Sequence, residues 1–201
     1  YTSVDAKDAW LKAVNYTRSY LGPSSATVTN GGGDWLVGSA DGAGFNYPES
    51  EMPGPSHRVP WFSLVHHQRF PIYQLRAGTN FSSDEVLQGE VLEGRLPVVD
   101  DTCWGRSLVR KLWFIEPISA ALAKQNVTRV STAEGKPGQM RCLWGDNGLV
   151  WANQGSENWV VAGRSVPPRG FLARTATVDA AIEVRNGVRC EQLVGQGTWY
   201  A

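Results

Sequence analysis

From Val127 onward the chain breaks into short runs in which apolar and polar residues alternate, at 127–132, 139–144, 148–152, 158–161, 171–175 and 180–184. A period of two puts successive side chains on opposite faces of a strand, so one face can be buried while the other stays wet. Asp146-Asn147-Gly148 falls between two of these runs and has the residue types that a tight hairpin turn needs. Several short strands with turn signals at this spacing predict a β-sandwich. The last residues, Gly197 to Ala201, read as the start of a further strand without its finish.

The earlier part has a different rhythm. Asp5 to Tyr20 keeps apolar or aromatic residues near a 3.6 period through Ala6, Trp10, Ala13, Val14, Thr17 and Tyr20, and Gly22-Pro23 stops it, which predicts a helix. Ala26 to Thr29 reads as a short strand that ends in Asn30-Gly31-Gly32-Gly33-Asp34-Trp35. Residues 38–58 form a Gly- and Pro-rich loop carrying Asp41, Glu49, Glu51 and His57, and loops of such length are usually functional or disordered. The unbroken apolar run Val59 to Val65 fits a buried strand of a parallel sheet, which switches abruptly to His66-His67-Gln68-Arg69-Phe70. Helices are predicted over Ser83 to Gly94, with Asp84 and Glu85 favourably placed in the first turn, and over Leu108 to Lys124, with Pro117 kinking or breaking the second.

Strand–helix alternation followed by strands alone predicts an α/β part followed by an all-β part, with the boundary near Gln125. Residues 1–125 are expected to form the C-terminal portion of a TIM-type (β/α)8 barrel, its last strands and helices, and residues 126–201 a truncated β-sandwich. Only about two βα units are visible where a closed barrel needs eight strands, so both ends are expected to be cut. Tyr1 in place of an initiating Met agrees with a processed or cut N-terminus.

Composition narrows the partners. Lys plus Arg and Asp plus Glu balance at 19 each, which leaves no electrostatic footprint for nucleic acid or an anionic membrane. No apolar run approaches the ~20 residues that span a bilayer. Cys103, Cys142 and Cys190 are widely spaced, with neither a CxxC pair nor zinc-type spacing, so the expectation is no metal and no cofactor. One disulfide with a thiol left over and three buried thiols both remain open. Three Asn-x-Ser/Thr sequons, at Asn15, Asn80 and Asn126, point toward a secreted or extracytoplasmic protein. The unusual numbers are nine Trp and 22 Gly. The indole face suits stacking on a sugar ring and its N–H can bond a hydroxyl, though the same ring serves equally well in a core.

Chemistry in barrels and open α/β sheets collects beyond the C-terminal ends of strands. One such end carries Asn30, Asp34, Trp35 and, further on, Asp41; a second carries His66 and His67. Glycoside cleavage uses two carboxylates, and sugar subsites place hydrogen-bonding groups beside an aromatic platform. Asp34 beside Trp35 supplies that pairing, and Asp41 a second carboxylate. Each also has a plainer reading: Asp34 as a turn residue bonding its own backbone, Asp41-Gly42 as a turn dipeptide. Strand alternation would point one of His66 and His67 inward and the other outward. Asp100-Asp101 with Trp104 is a further candidate, although adjacent acids in a loop are more often simply solvated. Nucleophile-elbow, Walker and Rossmann patterns are absent.

The segments NGGGDWLVGSADGA, VPWFSLVHHQRFPIY and LWFIEPISAAL together resemble the last barrel strands of large glycoside hydrolases, the endo-α-N-acetylgalactosaminidase-like enzymes and their relatives. RCLWGDNGLVWANQGSENWVVAGRSVPPRGFLART is similar to the β-sandwich that follows in those families, and the resemblance spans roughly residues 20 to 185. It implies a carbohydrate substrate and an O-glycosyl hydrolase as the parent protein. It also implies that the nucleophile and acid/base lie on middle barrel strands, upstream of Tyr1, and some relatives carry Glu where this chain has Asn30. Asp34 and Asp41 are then the catalytic candidates within these residues, and Asn30, Trp35, His66, His67 and Trp104 the substrate-binding ones. The remainder of the parent polypeptide is the expected partner. The competing readings are a non-catalytic Trp-rich module that holds glycans through Trp144, Trp151 and Trp159, and a structural β domain with every Trp packed inside.

Overall fold

A computed structural model gives the fold and describes residues 3–31, 34–45, 59–74, 83–101, 103–123, 125–195 and 197–201. The chain is mixed helix and sheet. It opens with α1 (Ser3–Leu21), then β1 (Val28–Asn30), a 3-10 turn (Asp34–Leu36) and β2 (Gly42–Phe45). After these come α2 (Trp61–His66), β3 (Ile72–Gln74) and α3 (Asp84–Glu93). A helical rod follows, made of α4 (Arg106–Val109), a π-helical stretch (Arg110–Ile115) and α5 (Glu116–Leu122).

Strands β1, β2 and β3 pair in parallel in chain order. A parallel bridge from Tyr73 to Leu96 continues the series on the far side of β3. α2 lies in the β2–β3 connection and α3 between β3 and Leu96, so these two connections have the βα character that parallel pairing requires. A small apolar cluster of Val14, Leu36, Ala40, Ala43 and Phe70 ties α1 and the 3-10 turn to this sheet.

Val59 to Val65 differs from the strand expected there, because most of the run is helix α2. Pro60, Ser63, Leu64 and His67 are buried, while Trp61 and Val65 are exposed. Those buried positions are spaced by three and four, the signature of one helix face. Pro60 immediately before the first helical residue fits as well, since the site needs no amide donor. His66 and His67 therefore sit at the C-terminal end of a helix ahead of β3, not beyond the end of a strand. Glu49, Glu51 and His57 fall outside the described residues.

Residues after Gln125 form one large antiparallel sheet. Its strands are β4 (Val127–Ala133), β5 (Lys136–Trp144), β6 (Gly148–Asn153), β7 (Trp159–Val161), β8 (Arg164–Val166), β9 (Phe171–Arg174), β10 (Val178–Arg185), β11 (Val188–Gly195) and β12 (Thr198–Tyr200). The order across the sheet is β12-β11-β10-β9-β6-β5-β4, with the β7–β8 hairpin attached to β10 through β8. Alternation does what period two demands. Met140, Cys142 and Trp144 of β5, Val150 and Ala152 of β6, and Ala180 and Ile182 of β10 share the inner face. Trp151, Leu172 and Ala181 lie on the other face, where Val166, Trp159 and Val161 of the β7–β8 hairpin cover them. The layer opposite the inner face is helical, from α3, the π stretch and α5, where a sandwich would have a second sheet.

The expected boundary at Gln125 falls in the connection between α5 and β4. The largest apolar cluster runs across it, joining Leu87, Val91, Phe114, Ile115, Ile118 and Leu122 to the inner face of the sheet. Cys103, Cys142 and Cys190 form no disulfide.

Candidate functional site

Three of the sequence candidates converge. The 3-10 turn that carries the chain from β1 to β2 presents Asp34, whose side chain is 87% exposed. Its Oδ1 accepts a hydrogen bond from Nε2 of His66 at 2.8 Å. The His66 ring is fixed from behind by Phe62, with ring centroids 5.0 Å apart. Next to Asp34, Trp35 is 37% exposed and meets Trp10 of α1 edge to face, at 6.0 Å and 78°. An exposed carboxylate, an imidazole oriented by it and two partly exposed indoles thus share one surface. Such a set can stack on the apolar face of a pyranose and bond its hydroxyls. Asn30 ends β1 and is exposed.

The other candidates are held by structural contacts. Both oxygens of Asp41 are engaged: Oδ1 accepts from Arg18 Nη2 at 2.9 Å, and Oδ2 accepts from the Thr27 amide at 2.8 Å. Arg18 also donates to the Ser39 carbonyl at 2.8 Å, so Asp41 latches α1 to the β1–β2 connection. His67 is 5% exposed. Its Nε2–H donates to the Gly94 carbonyl at 2.8 Å, and its ring meets Trp144 edge to face at 4.7 Å. Burial pulls the His67 imidazole below its ordinary range, against the pull of its backbone hydrogen bonds. Trp104 lies just ahead of α4 and is 74% exposed.

The binding-module platforms point into cores. Trp144 is fully buried, Trp151 is nearly so beneath the Arg141 guanidinium, and Trp159 packs with the hairpin cluster. The reading of these three as glycan platforms is corrected by their strand alternation, which turns each toward an apolar layer.

Sequence reasoning missed two features. Trp10 was visible only as one apolar position of a helix, and nothing local marks its partner as Trp35. A groove of about 990 Å³ also lies between the start of α3, α4 and strands β11–β12, lined by Asp84, Arg106, Arg110, Arg189, Glu191 and Tyr200 among others. Two spacings in the sequence hold part of that signal. Arg106 and Arg110 are four apart on a helix, and Arg189 and Glu191 are two apart on a strand, so each pair shares a face.

No protein-family model matches the chain, and no curated protein sequence matches it. Solved structures do. The ligand-free alpha-N-acetylgalactosaminidase NagBb from Bifidobacterium bifidum aligns with a TM-score of 0.53 at 17% identity, over 74% of this chain and 25% of that one. A quadruple mutant of the same enzyme aligns with a TM-score of 0.55 at 17% identity, over 73% of this chain and 24% of that one. Its GalNAc complex gives 0.52 at 16% identity, over 73% and 25%. At these identities the likeness is one of fold, and the chain spans about a quarter of the length of the structures it matches.

Proposed function

We propose that this chain is part of a glycoside hydrolase that removes or cleaves at α-linked N-acetylgalactosamine. In this reading it contributes the end of a (β/α)8-type catalytic domain and the β domain that follows. The observation that carries the proposal is the succession itself. Parallel βα units run directly into a large antiparallel sheet over one shared core, and that succession aligns with an alpha-N-acetylgalactosaminidase over about three quarters of the chain. The sequence resemblance to endo-α-N-acetylgalactosaminidase-like enzymes points to the same substrate class from different observations.

The residues divide the work. Asp34 and His66 form a hydrogen-bonded pair that offers both an acceptor and a donor to sugar hydroxyls, and Trp35 with Trp10 supplies the apolar platform. Asp41 holds the connection that presents them. The reacting carboxylate pair belongs to other strands of the parent protein, and these residues form substrate-pocket wall and scaffold. Activity on glycans also fits a secreted or extracytoplasmic location.

The test is hydrolysis of aryl glycosides by a longer polypeptide that contains this chain and by the chain alone. The expected result is release of N-acetylgalactosamine by the longer protein and none by the 201-residue chain. Turnover by the short chain would show that the reacting acids lie within it, and would turn attention to Asp34.

A further inference from the structure

Where β5 starts and β6 ends, three side-chain amides lie close together, and the fold uses only one of them. Asn153 is fully buried, and its amide is engaged on both sides. Its Nδ2 donates to the Glu157 and Val166 carbonyls at 2.7 and 2.9 Å, and its Oδ1 accepts from the Gly155 amide at 3.1 Å. Those bonds fix the turn over residues 153–157. Gln154 is tied to β5 by its backbone, which donates to the Gly138 carbonyl at 2.6 Å. Its side-chain oxygen and nitrogen are both shielded from solvent, with no hydrogen-bond partner among the described residues. Gln139, which pairs with Asn153 across the strands, is 4% exposed. Its side-chain amide makes no hydrogen bond among the described residues.

The two unused amides line one pocket of about 360 Å³. Its whole wall comes from residues 136–139 and 154–157, far from either end of the chain. Lys136 and Glu157 are 3.4 Å apart and cancel one another, so the lining carries no net charge. Amides kept from water without partners are costly, and each of these offers both a donor and an acceptor. Their complement is a neutral group that is itself donor and acceptor. A trans secondary amide points its N–H and its C=O in opposite directions, so it needs two separate partners. Two glutamines on neighbouring segments supply them, and the exposed Pro137 ring offers an apolar contact for a methyl group. The volume lies at the lower end of the range of small-molecule clefts, which suits one compact group.

We propose that this pocket binds a small neutral ligand through an acetamido group, with Gln139 and Gln154 as the residues that read it. The proposal rests on the pocket alone and does not depend on the glycosidase reading.

The 201-residue chain is titrated with N-acetylgalactosamine, N-acetylalanine methylamide and galactose, while the side-chain NH2 resonances of Gln139 and Gln154 are followed by NMR. The first two carry the acetamido group on a sugar and on an amino acid, and galactose keeps the sugar without it. Saturable shifts of both resonances are expected with an acetamido ligand, and the tighter of the two identifies the source. Galactose is expected to bind at least about tenfold more weakly. The readout sits at the two glutamines, so sugar held at the Asp34 surface does not register, and failure here leaves the glycosidase reading standing. Gln154→Met keeps the length of the side chain and removes its donor and acceptor. It is expected to lose about tenfold in affinity, read at Gln139, with a melting temperature at or above that of the wild type, because no internal bond is broken. Absence of saturable shifts with either acetamido ligand, galactose bound as tightly, unchanged affinity in Gln154→Met, or a melting temperature clearly lowered by that change would each overturn the proposal.

Discussion

Gly94, His67 and Trp144 form a junction where the parallel sheet region meets the antiparallel one. Gly94 closes α3 with φ +64, a conformation that side chains rarely adopt. A Cβ there would lie 2.5 Å from His67 Nε2 and 2.8 Å from Trp144 Cη2. Gly94→Ala should therefore cost at least about 2 kcal/mol, from backbone strain and from two displaced rings, as measured by chemical unfolding. His67 adds a pH dependence. Its folded-state proton affinity is lowered by burial, so as pH falls below about 6.5 the unfolded chain takes up that proton first. The stability contributed by neutral His67 is complete above that pH and is lost as pH falls through the folded-state value. His67→Gln keeps an N–H donor for Gly94 and removes the titration. Its melting temperature should fall less than the wild type's between about pH 7.5 and 5, and parallel curves would contradict the assignment. The sequence marked His67 as a candidate, but the adjacent His66 carries the same local signal. Only packing against Trp144, 77 positions away in the chain, separates the two roles.

At the scale of elements, what was legible depended on whether the period was clean. The alternating runs became strands close to where alternation put them, because one face of each is covered, by the helical layer for most of them and by the rest of the sheet for β7. The β10–β11 hairpin was missed although Asn186-Gly187 is a strong turn signal, and both residues take the positive φ that a two-residue hairpin needs. The run around Trp61 failed for the opposite reason. An apolar stretch of seven residues does not announce its period when two of its large side chains, Trp61 and Val65, face outward. The helical layer also carries charges into the core, which no local pattern foretold. Glu90 of α3 and Lys111 of the π stretch form a fully buried ion pair. Burial raises the Glu90 carboxyl above its ordinary range, and the adjacent Lys111 ammonium opposes that shift. Lys111→Met should cost about 3–5 kcal/mol by leaving Glu90 buried without its partner. The double change Glu90→Leu with Lys111→Met should cost clearly less than that single change. A strictly additive double-mutant cycle would show that the pair is not coupled.

Across the whole molecule, the division expected at Gln125 marks a change in pattern, while the core does not stop there. Leu87, Phe114 and Ile118 on one side pack with Trp144, Phe171 and Ile182 on the other, so the two parts share one apolar interior. That arrangement makes the β region a buttress for the helices behind the parallel strands. It follows that damage to the sheet should reach the Asp34–His66 surface through packing. Sequence revealed Asp34 with Trp35, adjacent in the chain, and His66 as a separate candidate, but not that His66 pairs with Asp34. The parts it hid were tertiary: Trp10 against Trp35, Arg18 on Asp41, and the groove assembled from three distant segments. In the proposed function, the surface of Asp34, Trp35 and His66 holds sugar for a glycosidase whose reacting acids lie on other strands. The most direct measurement is the steady-state kinetics of N-acetylgalactosamine release from a chromogenic α-N-acetylgalactosaminide by the longer polypeptide, wild type against Trp35→Ala. Turnover by the wild type is expected, with a KM raised about tenfold in the variant and kcat close to unchanged, the pattern of lost uniform binding. No turnover by the longer polypeptide, or an unchanged KM in Trp35→Ala, would contradict that proposal.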